Sequence, residues 1–239
     1  MRVCTKKKHV SHAKSWISML NSAGIHQKTS SVPAYNNLYA YAANNPIRYI
    51  DPDGRKVRIE GTAEEKKQIL EMINKYSKDK FDINAAGYLF NTTYKNKDTK
   101  NEPKSSLYSN DVNDAIDSDE CTVIIRYDDV HKTKKGVVYY KLSKEAGGGA
   151  TTYDIDEIYV TISPFGSSKF GKAITYIDKN GNEYNIFNEP PEEILIHELS
   201  GHAVPMLLRW RINAIMRENG VRGQLNLDAR KGERNHDSF

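Results

Sequence analysis

The spacing of apolar residues along this chain changes several times, and each change marks an element. Residues 56–60 alternate apolar and polar, as a half-buried strand does. Gly61 ends the alternation and Thr62-Ala63-Glu64-Glu65 forms a capping box, in which hydroxyl and carboxylate each bond a free backbone N–H at a helix start. Ile69, Leu70, Ile73 and Tyr76 follow at helical spacing and predict a core-facing helix. Residues 81–90 predict a short hairpin around Ala85-Ala86-Gly87, residues 91–106 an exposed lysine-rich loop, and residues 109–117 a short acidic helix. Residues 122–127 and 136–142 are expected to be buried strands, and Gly147-Gly148-Gly149 a plain hinge. Residues 157–163 predict a further strand, one that could take up an extended peptide by edge pairing. Residues 172–187 give the clearest hairpin, with its turn at Asn180-Gly181. A long helix is then expected, capped by Asn188, with Pro190-Pro191 in its first turn and Glu192 and Glu193 at its positive end. It should run to about Asn219 and stop at Gly220, leaving a linker over 221–225 and a charged tail. In this order strands and a helix are followed by a hairpin that feeds a long helix, and the predicted class is α+β: a small mixed or antiparallel sheet packed on a capped helix and a long functional helix.

Within that last helix lies Ile196-His197-Glu198-Leu199-Ser200-Gly201-His202-Ala203. Two imidazoles beside a carboxylate are the parts of a metal-hydrolase site, usually spaced His-Glu-x-x-His so that both rings share one helix face. Here the histidines stand five apart. At about 100° per residue, five steps leave the rings ~140° apart, where four would leave ~40°. Pro205 has no N–H and crowds the carbonyl of Gly201, so the ladder is interrupted between the histidines. Gly201 resists an unusual backbone least. We therefore expect a wide π-type turn at Ser200-Gly201 that returns His202 to the face of His197. Ile194, Leu195, Leu199, Val204 and Leu207 surround the pair, so the rings should be buried, where a metal would satisfy them.

Composition narrows the alternatives. The chain has 239 residues, 38% hydrophobic, with fifteen Tyr against six Phe. Its net charge is +4, from 35 basic and 31 acidic residues that are interspersed, which does not by itself point to nucleic acid. Cys4 and Cys121 form neither a disulfide framework nor a zinc-ligand spacing, and His9, His12 and His26 are dispersed. No apolar run approaches a membrane span, and the segment around Ser15 to Leu20 is too short and mixed for a signal-peptide core.

Two resemblances add to this reading. Residues 37–54 alternate apolar and polar and turn at Asn44-Asn45-Pro46 and again at Asp51-Pro52-Asp53-Gly54. This stretch closely resembles the signature that closes the core of RHS/YD-repeat proteins, after which a toxin or effector domain commonly follows. The repeats themselves are absent, so residues 1–54 are expected to be the end of an RHS core and residues 55–239 its variable domain. That second part, with its opening strand, capped helix and His-Glu-Leu-x-Gly-His-Ala core, resembles the zincin-like metallopeptidases found at the C-termini of RHS-type effectors. The resemblance implies Zn2+ held by His197 and His202, with Glu198 as general base toward a metal-activated water. It also implies a third ligand downstream: Glu233 is the first choice, His236, Asp228 and Asp237 are alternatives, and Glu218 is less favoured because it should extend along the same helix. The implied substrate is a protein or peptide, with an immunity protein as a candidate partner and delivery by a bacterial secretion system as part of a larger RHS protein. Two other readings are a nuclease toxin drawing on Arg230, Arg234, His236 and Asp237, and an inactive remnant used as a binding module.

Overall fold

A computed structural model describes residues 57–93, 103–167 and 173–232. All of these lie in the compact unit Arg55–Phe239, so the RHS-like stretch, Cys4 and the dispersed N-terminal histidines fall outside the described residues. The chain is a mixed α and β structure with small sheets. Strand β1 (Val57–Glu60) leads to helix α1 (Ala63–Tyr76), the hairpin β2 (Phe81–Ile83) and β3 (Leu89–Asn91), and helix α2 (Ser106–Asp117). Strand β4 (Thr122–Tyr127) is followed by the hairpin β5 (His131–Thr133) and β6 (Gly136–Tyr139) and the short helix α3 (Leu142–Glu145). Strands β7 (Gly149–Asp154) and β8 (Glu157–Ile162) form one hairpin, and β9 (Ile174–Ile177) and β10 (Glu183–Ile186) another. Helix α4 (Pro191–Ile196) then runs through a π-helical turn (His197–Ala203) into α5 (Val204–Leu208), and α6 (Ala214–Gln224) and β11 (Ala229–Arg230) close the described chain.

The main sheet has the order β1-β4-β8-β7. Its first three strands are parallel and β7 alone runs antiparallel, at one edge. Val123, Ile124, Ile125, Ile158, Val160 and Ile162 are buried, as central strands covered on both faces require. Helix α1 packs on β1 and β4 through Ile69, Met72 and Ile73. Its capping box is formed as the sequence predicts: the Thr62 N–H donates to Glu65 Oε2 at 2.7 Å and the Glu65 N–H to Thr62 Oγ1 at 3.3 Å.

Several expectations are corrected. Strand β8 lies between β4 and β7 and has no open edge; the edge strands are β1 and β7. The glycines at its start are not a hinge: Gly149 opens β7 and Gly148 is packed against Gly166 and Ile194. The strand expected over 136–142 ends at Tyr139 with Val137 and Val138 exposed, because it pairs only with the short β5. Ser105, read as part of a loop, caps α2 through its hydroxyl at 3.0 Å from the Tyr108 N–H. Asn188 does not cap α4, whose N-cap is Pro190. The long helix does not reach Asn219. Arg209 takes the left-handed conformation (φ 57°) and ends α5, Asn213 caps a new helix, and Gly220 sits inside it. Among the described residues no helix is long and apolar enough to cross a membrane.

Candidate functional site

The wide turn expected at Ser200-Gly201 is present and spans His197–Ala203. Its signature is the Val204 N–H bonding the carbonyl of Leu199, five residues back rather than four. Gly201 makes the turn possible by close approach: a Cβ there would lie 3.0 Å from the carbonyl oxygen of Ala214 and 3.2 Å from its side chain. The consequence is that His197 and His202 meet. Their Nε2 atoms are 3.2 Å apart and their rings stand edge to face at 4.9 Å.

The return helix α6 places Glu218 behind this pair. Glu218 Oε2 lies 2.8 Å from His197 Nδ1, and the carboxylate is fully buried. A carboxylate at Nδ1 holds the ring proton on that side and leaves the Nε2 lone pair toward His202, which is the orientation a metal ligand needs. Glu218 thus stands on the far side of His197 from His202. Sequence reasoning discounted it because one continuous helix would have carried it away. The break at Arg209 brings it back.

Glu198 is buried beside the edge strand. The Thr151 hydroxyl donates to its Oε2 at 2.7 Å and lies 3.2 Å from its backbone carbonyl. Gly149 is the neighbour that permits this contact. A Cβ on Gly149 would lie 2.6 Å from Ile194 Cγ2, 2.7 Å from Glu198 Cγ and 2.9 Å from Glu198 Oε1. Gly149→Ala is therefore expected to destabilise the fold by about 1–3 kcal/mol, the usual cost of overpacking. Urea unfolding measures it, and an unchanged midpoint would mean that β7 and the helix separate freely.

A cavity of about 440 Å3 opens over these groups. Gly149 to Thr152 of β7 form one wall, His197, Glu198 and His202 the floor, and Ile174, Glu189 and Arg230 the opposite side. Behind that side is a buried ionic cluster. Arg222 Nη1 is 2.8 Å from Glu193 Oε2, 3.5 Å from Glu218 Oε1 and 3.7 Å from Glu189 Oε1, while Arg230 Nη1 is 3.6 Å from Glu218 Oε2. The Tyr176 hydroxyl donates to Glu189 Oε1, and the Arg222 guanidinium lies over the Tyr176 ring at 4.4 Å. Burial, with the nearby charge of Glu218, pushes the Glu189 carboxyl up to about 7.

Of the downstream ligand candidates, Asp228 accepts the Tyr184 hydroxyl at 2.7 Å in an exposed contact beside the three-stranded sheet β10-β9-β11. Glu233, His236 and Asp237 lie outside the described residues, as does Arg234. Strand β11 nevertheless brings the chain to the cavity rim, since Arg230 lines it and the Lys231 N–H bonds the Thr175 carbonyl at 2.8 Å. Among the described residues no three His, Cys, Asp or Glu side chains converge as a metal cage. Glu189 and Thr151 were not singled out in the sequence, and Gly149 was read only as part of a hinge. The one local signal for the returning Glu218 was Asn213, an N-cap residue after a Trp-Arg-Ile stretch. No protein family, curated protein or solved structure matches the chain.

Proposed function

We propose that residues 55–239 are a zincin-like, zinc-dependent endopeptidase domain, carried as a toxin or effector behind the end of an RHS core. The observation that carries this reading is the π-helical turn, which brings two imidazole nitrogens within 3.2 Å beside a buried glutamate at the floor of a cavity. The donor set fits a zinc ion. Two imidazoles offer Nε2, one is oriented by a buried carboxylate, and a third ligand would come from Glu233, with His236 and Asp237 as alternatives. When bound, zinc would supply Lewis acidity, polarising a carbonyl and acidifying a water.

The remaining chemistry belongs to this chain. In this reading Glu198 takes a proton from water as it attacks a peptide carbonyl and returns it to the departing amine. Thr151 orients that carboxylate through Oε2. Among the described residues no strand pairs with the outer edge of β7, which lines the cavity, and an extended peptide could add main-chain hydrogen bonds there. The sheet with its edge strand beside the helix supports the zincin-like reading. The nuclease alternative loses support because Arg230, one of its groups, is turned inward to Glu218. Delivery within a larger RHS protein and an immunity partner go with the same reading.

Zinc content tests it. Protein purified without chelator is expected to carry stoichiometric zinc and to cleave unfolded protein substrates. 1,10-Phenanthroline should stop cleavage and added zinc restore it. Protein that folds but carries no zinc would instead match the inactive remnant.

A further inference from the structure

Glu189 precedes the active helix and is only 2% exposed, yet it lines the cavity. Its backbone is clamped: its N–H donates to Ser167 Oγ at 2.6 Å, and its carbonyl accepts the Ser167 N–H at 3.1 Å. Gly166 (φ 61°) is pressed so close that a Cβ would meet the Glu189 carbonyl oxygen at 2.3 Å. The side chain is fixed through one oxygen. Oε1 accepts the Tyr176 hydroxyl and lies 3.7 Å from Arg222. Oε2 makes no hydrogen bond to any described residue, and Glu189 lines the cavity. Glu189, Glu193 and Glu218 stand around Arg222, and Glu218 also meets Arg230 and His197. Lys144 and Glu145, at the cavity rim, offset each other.

Resting on the peptidase reading above, we propose that Glu189 Oε2 is a substrate-recognition group that takes a cationic nitrogen, either a lysine or arginine side chain or the free amino terminus of a peptide. The site is rigid and pre-formed, which suits recognition of a single ammonium or guanidinium group. Glu189 must give up its proton to pair with a cation. Because burial and Glu218 raise it to about 7, cation binding should strengthen as pH rises through that value.

The test is isothermal titration of the full, zinc-loaded chain in a Glu198→Gln background, which removes turnover. The small probes are n-butylammonium and n-butylguanidinium, with n-butanol as the neutral control. Three peptides separate the sources of the cation: N-acetylated with an internal lysine, N-acetylated with norleucine in its place, and the norleucine peptide with a free amino terminus. The cationic probes should bind about tenfold or more tightly than butanol, the scale of one charged hydrogen bond. One cationic peptide arm should show the same preference, and Glu189→Gln should remove both. Equal binding of butylammonium and butanol to protein with Glu189 intact overturns the proposal whether or not the variant folds, as does a preference that survives Glu189→Gln. If cations bind but no peptide does, the Glu189 site stands and the peptidase reading falls. If peptides bind without discrimination, the reading stands and the Glu189 proposal falls.

Discussion

Replacing Glu198 with Gln is expected to lower peptide hydrolysis by about 10²–10⁴-fold while leaving zinc bound. The amide has the size of the carboxylate but cannot accept a proton from water. It still fits between Ile194 and Gly149, and the Thr151 hydroxyl can donate to its remaining carbonyl oxygen, so the fold should persist. Zinc should persist as well, because in this reading the metal is held by His197 and His202 and Glu198 is not a ligand. The measurement pairs zinc analysis with cleavage of an unfolded protein substrate. Retained cleavage would remove Glu198 from the chemistry. Loss of zinc together with activity would make Glu198 a ligand and leave the base to another group.

Glu218→Gln should have the second large effect, on both metal and fold. The carboxylate is fully buried and meets three groups: His197 Nδ1 at 2.8 Å, Arg222 Nη1 at 3.5 Å and Arg230 Nη1 at 3.6 Å. An amide can still contact His197 but carries no charge to hold the proton on Nδ1. Loss of such an outer partner typically weakens metal binding about 10–100-fold. Two guanidinium groups would also lose a carboxylate partner, and breaking a buried pair costs about 3–5 kcal/mol. Competition against a chromophoric chelator reads the first effect, and thermal unfolding of the zinc-free protein reads the second. If stability falls but zinc affinity does not, Glu218 serves the fold alone and His197 is oriented by other contacts.

These two residues were legible to different degrees. Glu198 could be proposed from its neighbours in sequence, because it lies beside His197 and four residues before His202. The wide turn was also legible. Pro205 removes a donor, Gly201 tolerates close approach, and the five-residue spacing demands an extra backbone position between the rings. The capping box at Thr62 and the hairpin at Asn180-Gly181 belong to the same group, since each is decided by residues within a few positions of one another.

Glu218 was not legible in this way. Nothing local marks Arg209 as the end of the helix, because a left-handed arginine carries neither the Gly nor the Pro signal that usually announces a stop. Gly147-Gly148-Gly149 was read as a hinge from its three glycines, yet Gly149 opens strand β7. It is a strand because β8 pairs with it and Glu198 needs a neighbour without a Cβ. Glu189 reads as one more charge ahead of a helix until Tyr176, thirteen residues earlier, and Arg222, far downstream, fold around it. The sequence by itself therefore determined the local elements and the wide turn that joins the two histidines. The tertiary structure decided which carboxylates stand around that pair, because their positions depend on contacts between residues distant in the chain, which no local spacing encodes.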